Sequence, residues 1–392
     1  MKYSIMAGIY VHIPFCRSIC HYCDFYRIAG HINADTYIDA LEKEMELRAG
    51  YLQGEIVETL YFGGGTPSVL NTHHLQRIFN LISCYHTLWK ECEITMEVNP
   101  DDTTGEYLKA LRDDTPVNRL SIGIQSFHDP DLVRMNRRHT AKQGLQSIEQ
   151  AIQQGFSNIS VDLIYGMPGS SLEVLNSSLD QLFAFDIQHI SAYHLTIEPG
   201  TVFFKKAEKG LIRPAGEEES FSQFSTLIHR LGQKGFVHYE ISNWAKKGYL
   251  SRHNTGYWKR KPYLGLGPSA HSYNIWSRQW NVASLPRYLQ AIKDGTPFYE
   301  REMLTDVMRF NEYLLTSLRT IWGIDLKEVR TKFGPIRAET LQKGCESWIH
   351  SGHMIKTEDT ITLTNRGYFI SDTVVSNLMR EEQTGKQAVN EE

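Results

Sequence analysis

Between residue 7 and about residue 200, apolar strand-like runs alternate with amphipathic helical ones, and a polar side chain or a glycine turn closes each successive run. The runs are Ile9–Ile13, Val57–Phe62, Glu93–Val98, Arg119–Ile124, Asn158–Ile164 and His189–Leu195. Helical periodicity fills the intervals. Tyr37, Leu41, Glu44 and Met45 share one segment, and Leu75, Ile78, Phe79 and Ile82 form another stripe. Gly144–Ile152, with Gly155 as its cap, and Leu172–Phe185 behave alike. Strand–helix units in series predict an α/β fold whose parallel sheet curls into a partial or full (β/α) barrel. An open doubly wound sheet is the alternative. Cys16, Gly63–Gly65, Glu97, Gln125, Asp162 and Thr196 each fall at or just beyond the C-terminal end of one strand, the rim where such barrels carry their sites.

The segment Cys16-Arg-Ser-Ile-Cys20-His-Tyr-Cys23 follows the first run directly. Three thiols so close in sequence can hold one metal centre. A four-iron cubane held by only three thiolates keeps one iron open to a substrate or cofactor. Structural zinc with His12 or His21 as fourth ligand is the alternative, although zinc modules usually come as two separated ligand pairs. Six cysteines in 392 residues without an export signal suggest a reducing cytoplasm, which disfavours disulfides. Cys84, Cys92 and Cys345 lack ligand spacing and read as buried thiols. A net charge of −4 gives no general attraction to nucleic acid, and no apolar run is long enough to span a bilayer.

A second block begins near Gly210. Glu217–Gly232 reads as a helix and Phe236–Ser242 as a strand. Arg252-His253-Asn254-Thr255-Gly256-Tyr257-Trp258 and the glycine-rich stretch from Gly265 to His271 come next. Phe310, Leu314, Leu315 and Leu318 mark a helix; Leu341–His350 and two short strands joined at Glu358-Asp359 suggest a winged-helix-like element. Without a basic stripe, its expected role is packing or a lid. The expected organisation is a core over 1–235, a connecting region over 236–300, a helical and winged-helix-like region over 301–380 and a disordered tail over 381–392.

The three-cysteine loop, with Tyr22 before the last cysteine, resembles the radical S-adenosylmethionine (SAM) superfamily. So does Tyr61-Phe62-Gly63-Gly64-Gly65-Thr66-Pro67-Ser68 behind the next strand, where glycines let backbone groups approach a ligand closely. Ile9–Cys16, Phe62–Ser68, Met96–Pro100, Ser121–Phe127 and Asp162–Pro168 are similar to the oxygen-independent coproporphyrinogen oxidase branch. That resemblance implies a 4Fe-4S cluster on Cys16, Cys20 and Cys23. It implies one SAM at Tyr10, Gly64 and Glu97. It further implies a second at Tyr22, Gly65, Thr66, Gln125, Arg137, Asp162 and Thr196, where Arg137 suits a carboxylate.

Two departures separate the chain from the oxidases: Phe25 stands where they carry a further cysteine, and only fifteen residues precede Cys16. Both are features of the HemW-type haem chaperones, as is the sequence His253-Asn254-Thr255-Gly256-Tyr257-Trp258. The resemblance to that branch implies a haem site with His253 as ligand, Tyr257 and Trp258 as a flat floor and Arg252, Lys259, Arg260 and Lys261 facing propionates. It assigns the 236–300 region to haem, with His271 as a rival ligand. The implied function is a cytoplasmic haem chaperone that passes haem to an apo-haemoprotein acceptor, a homodimer being left open. The alternatives are oxidative decarboxylation of coproporphyrinogen III and another radical SAM reaction on a tetrapyrrole.

Overall fold

The computed structural model of the chain describes residues 6–30 and 33–381. All but the first residue of the expected disordered tail lies outside this range. The described residues form two compact units, one of residues up to 257 together with 261–302, the other of 258–260 and 303 onward.

In the first unit the six expected strands are Ala7–Ile13, Val57–Gly64, Leu88–Val98, Arg119–Gln125, Ile159–Tyr165 and His189–His194, parallel and adjacent in chain order. Sequential order decides the architecture. Right-handed crossovers that all step the same way put every helix on one face and leave the other face to line an interior. A doubly wound sheet would reverse its order part-way. The alternation of each strand fits this division: Leu120, Ile122 and Ile124 are fully buried toward the helices, while Arg119, Ser121, Gly123 and Gln125 line the interior.

The sheet has twelve strands and does not close, so the barrel is partial. Tyr263–Leu266 adds a parallel strand beside the first, followed by antiparallel His271–Tyr273 and Ser277–Asn281, then Tyr299–Met303 at the edge. Asn243–Ala245 and Val237–Glu240 extend the opposite edge antiparallel. The connecting region expected over 236–300 is therefore no separate body; its strands complete the core sheet.

A buried ion pair fastens the added strands. Glu44 and Arg48, 3.3 Å apart on the apolar face of helix Ala34–Arg48, reach across to them. The Glu44 carboxylate accepts from the Gly267 amide, Asn281 Nδ2 and the Tyr288 hydroxyl at 2.6–2.7 Å. Arg48 donates to the Gly265 carbonyl, Ser272 Oγ and Gln279 Oε1 at 2.8–3.1 Å. Full hydrogen bonding is what makes a buried pair tolerable.

The second unit packs helices Asp306–Leu318, Leu326–Phe333 and Pro335–His350 with an antiparallel sheet of Ile324–Asp325, Thr360–Leu363 and Met354–Thr357. Phe310, Leu314, Val329, Leu341, Cys345 and Ile361 fill its core. Glu358 makes the hairpin with φ of 52°. Cys92 and Cys345 are buried as expected, but Cys84 is exposed, because it ends the solvent face of helix Thr72–Tyr85. Among the described residues no helix is long and apolar enough to cross a membrane.

Candidate functional site

A cavity of about 500 Å³ opens at the C-terminal rim of the first unit's sheet and runs down its interior. Of the SAM-site residues implied by resemblance, Tyr10, Tyr22, Gly64, Gly65, Thr66, Glu97, Gln125, Arg137, Asp162 and Thr196 all line it, together with Cys16, Cys20 and Cys23. One position differs from expectation. Asp162 is the middle residue of its strand rather than the last, and its carboxylate lies deeper, accepting from the hydroxyls of Ser121 and Ser160.

The cysteines occupy the mouth. Phe15–Cys16 pairs with Ile28–Ala29 in a two-stranded ribbon that fixes the start of the loop, and the Cys23 amide donates to the Cys20 carbonyl at 3.3 Å. Burial raises the Cys16 thiol and pushes Cys23 up to about 11, against the pull of Arg27. Hydrogen-bond donors face the sulfurs: Thr66 Oγ1 donates to Cys16 Sγ and Arg137 Nη1 to Cys20 Sγ, both at 3.4 Å. Asn99 joins these donors. Its amide donates to Thr66 Oγ1 at 3.1 Å, and its oxygen accepts from Arg137 Nη2 at 2.8 Å. This polar chain links two cluster thiols through two strand ends. Donors and cations of this kind favour thiolates, the form that binds iron. Among the described residues no three Cys, His, Asp or Glu side chains converge as ligands of a single ion would. A cubane has no such requirement, since each thiolate takes a different iron. The three thiols suit a 4Fe-4S cluster, which when bound supplies an open iron and electrons.

The glycine loop is tightly fixed. Gly64 has φ of 106°, and a Cβ there would lie 2.6 Å from the His12 ring. A Cβ on Gly65 would meet the Phe15 carbonyl oxygen at 2.7 Å. Beside the loop, Glu97 accepts from the Tyr61 hydroxyl at 2.8 Å and from the Gly64 amide at 3.3 Å. Desolvation pushes its carboxyl up to about 7, against the pull of the Tyr61 hydrogen bond and with a further rise from Asp162. A buried carboxylate among ring hydroxyls and backbone amides is suited to an amine or ribose hydroxyls. Gln125, at φ of 68°, ends its strand in a conformation few non-glycine residues adopt, which turns the chain over the cavity. Tyr22 packs against Leu132, Met135, Met167, Leu195 and Phe203 beneath the cysteine loop.

The expected haem ligand is placed otherwise. His253 is 3% exposed and seals the lower end of the interior. Its Nδ1 is 2.8 Å from Thr59 Oγ1, its Nε2 is 2.7 Å from the Tyr257 hydroxyl, and its ring stacks on Tyr61 at 5.0 Å. Both ring nitrogens are engaged, so neither faces an iron. Burial lowers its pKa to about 3, helped by the charge of Arg119. The helix Arg252–Trp258 starts on the Glu93 carboxylate, which accepts the Arg252 and His253 amides at 3.1 Å. Nor do the basic residues form a ring. Arg252 covers Trp89, Lys261 pairs with Glu58, Lys259 lies over Trp322, and Arg260 binds Thr316 and Glu328. Trp258 groups with the second unit and Tyr257 with the first. His271, the rival, is exposed, with its ring 6.3 Å from that of Trp280 on the neighbouring strand.

Sequence reasoning missed Asn99, Arg119, Ser121, Tyr193, His194 and Asn254, which also line the cavity. Alternation along Arg119–Gln125 was the available signal for Arg119 and Ser121. Asn254 was visible only as a member of the His253–Trp258 sequence, since only the fold brings its helix under the interior.

Residues 10–182 match the radical SAM superfamily model. The chain is 33% identical over 380 residues to "Heme chaperone HemW" of Bacillus subtilis, covering 96% of this chain and all of that protein. It is 31% identical to "Heme chaperone HemW" of Lactococcus lactis, over 95% and 97% of the two chains. In fold it matches the solved coproporphyrinogen III oxidase (HemN) of Escherichia coli with a TM-score of 0.83, at 23% identity, over 96% of this chain and 90% of that one. With an interior site of this composition and full-length relatives of this similarity, the chain belongs to the HemW heme chaperone family of the radical SAM superfamily.

Proposed function

We propose that the protein binds haem and passes it to an apo-haemoprotein acceptor in the cytoplasm. The observation that carries this reading is the similarity to proteins named heme chaperones over essentially the whole chain. Cys16, Cys20 and Cys23 hold a 4Fe-4S cluster. Tyr10, Gly64 and Glu97 meet one SAM, and Tyr22, Gly65, Thr66, Gln125, Arg137, Asp162 and Thr196 a second. In this reading cluster and SAM set conformation, self-association or haem release, and no tetrapyrrole product is formed.

His271 is the better candidate for the haem iron. Its imidazole is exposed beside Trp280, with Tyr273 and Arg278 opposite each other two residues along the same strand pair. An accessible imidazole on an aromatic face suits a flat macrocycle; His253 would first have to give up both its hydrogen bonds. Tyr257 and Trp258 then serve the haem site only at second hand. The test is haem transfer: the anaerobically reconstituted protein is loaded with one haem and mixed with an apo-globin. The Soret band of the holo-globin should grow while the donor's falls. Retention of all haem by the donor, at acceptor excess, contradicts the reading.

A further inference from the structure

Asn99 directly follows the third core strand, and its side chain stands between two donors that face cluster sulfurs. Its oxygen meets Arg137 Nη2 at 2.8 Å, and its nitrogen meets Thr66 Oγ1 at 3.1 Å. The orientation of the amide is forced. A guanidinium only donates, so the Asn99 atom facing Arg137 is the acceptor and the NH2 group points to Thr66. The Thr66 hydroxyl, 5% exposed, has one lone pair taken and must place its own proton elsewhere. Cys16 Sγ lies 3.4 Å away to receive it.

The same amide constrains Arg137. One Nη2 hydrogen goes to Asn99 and the other to the Gly123 carbonyl at 2.7 Å, which holds the guanidinium plane and presents Nη1 to Cys20 Sγ at 3.4 Å. The second Nη1 hydrogen and the buried, unpartnered Nε stay available for SAM. Asn99 is itself fixed from behind. Its backbone amide donates to Ser68 Oγ at 3.2 Å, and that hydroxyl donates to Asp102 at 3.1 Å. The Asp102 carboxylate in turn pairs at 3.2 Å with Arg17, the residue after Cys16. Cys20 has a second neighbour in the Tyr22 hydroxyl, and Cys23 meets the Phe25 backbone and the charge of Arg27 instead.

We propose that Asn99 is a positioning residue that raises the reduction potential of the cluster, by aiming the Thr66 hydroxyl at Cys16 and the Arg137 guanidinium at Cys20. One-electron reduction adds a negative charge that the thiolate sulfurs share. Donors aimed at those sulfurs stabilise the reduced form more than the oxidised one, so the cluster becomes easier to reduce. The Thr66 arm is the sharper probe, because Cys20 is also met by Tyr22. The inference rests on the cluster proposed for Cys16, Cys20 and Cys23 and is independent of haem transfer.

The test is an anaerobic redox titration of the full-length, reconstituted protein without SAM or haem. Dithionite is the reductant, and the electron paramagnetic resonance signal of the reduced cluster is the readout, after iron and sulfide have been counted in each variant. Thr66→Val and Asn99→Ala should each lower the midpoint by about 59 mV, a tenfold shift of a one-electron equilibrium. The Thr66→Val/Asn99→Ala double variant should fall short of the sum, since Asn99 acts through Thr66. Asn99→Asp keeps an acceptor for Arg137 but draws the Thr66 proton away from Cys16, and should lower the midpoint as well. An unchanged midpoint in either cluster-bearing single variant refutes the proposal, and strictly additive shifts refute the positioning role. If Asn99→Ala assembles no cluster, Asn99→Asp takes its place in the cycle. If neither assembles one in a folded protein, Asn99 serves assembly and the proposal is refuted. A wild type without about four irons per chain would overturn the cluster itself, a failure that the iron count separates from a midpoint that does not move.

Discussion

Thr59 Oγ1 and His253 Nδ1 lie 2.8 Å apart at the lower end of the barrel, joining the second core strand to a helix 194 residues later in the chain. With Tyr257 on the other ring nitrogen, the contact makes His253 a structural closure. His253→Ala should therefore lower stability by about 2–4 kcal/mol, through two lost buried hydrogen bonds and a lost stack. The haem Soret band should stay where it is. His271→Ala should shift the band with little change in the thermal midpoint. Absorbance titration beside thermal unfolding checks both.

The cluster residues separate cleanly from the other thiols. Cys16→Ala, Cys20→Ala or Cys23→Ala should abolish cluster iron and labile sulfide after reconstitution, whereas Cys84→Ala, Cys92→Ala and Cys345→Ala should retain about four irons per chain. Cys345→Ala should cost about 1 kcal/mol as a core truncation, without loss of iron. Iron and sulfide analysis decides the matter, and one zinc without sulfide would contradict the cluster.

The glycine loop gives a prediction about stability rather than ligand access. The positive φ of Gly64 and the nearness of the His12 ring leave no room for a side chain without disturbing the loop itself. Gly64→Ala should cost about 1–3 kcal/mol from backbone strain, plus the clash, and should be read by chemical denaturation. Gly65→Ala meets backbone instead of a ring, so its loss should be the greater.

Glu97 makes stability depend on pH. Its folded-state pKa is raised from 4.5 to about 7, so the folded ligand-free protein holds a proton that the unfolded chain releases. Its favourable contribution is complete below about pH 4.5 and is lost as pH rises through about 7, a change of roughly 3 kcal/mol at most. Denaturation of the ligand-free protein between pH 5 and 8 should show a steeper decline in wild type than in Glu97→Gln. Parallel profiles would contradict the buried, protonated state. Glu240, also raised to about 7 by burial, leaves a residual slope in the variant.

Much of this architecture was legible because the pattern that specifies it is local. Six strands, their order along the rim and the cysteine and glycine loops all follow from period-two and period-3.6 stripes and from turn residues. The strand Tyr263–Leu266 escaped notice, since four residues including Gly265 and followed by Gly267 read as a loop until a neighbouring strand supplies hydrogen bonds. Glu44 was visible on an apolar stripe, but its meaning depended on Arg48, Asn281 and Tyr288, which only the fold assembles. His253 misled for the same reason. Its neighbours in sequence suggest an open aromatic platform, while its neighbours in space are Thr59, Tyr61 and Glu93, from strands far away in the chain. Arg119 was signalled only by the alternation of its strand, which is easily passed over because a cation at the start of a strand usually reaches solvent.

The central claim is that a radical SAM barrel serves here to carry haem rather than to modify a tetrapyrrole. The most direct measurement is anaerobic incubation of the reconstituted protein with reductant, SAM and, in parallel, haem or coproporphyrinogen III, followed by chromatography of the tetrapyrroles and a haem count per chain. The account predicts about one haem bound per chain, recovered chemically unchanged, and coproporphyrinogen III left with all its carboxylates. Decarboxylated tetrapyrrole formed with multiple turnovers, in a protein that retains no haem, would contradict it.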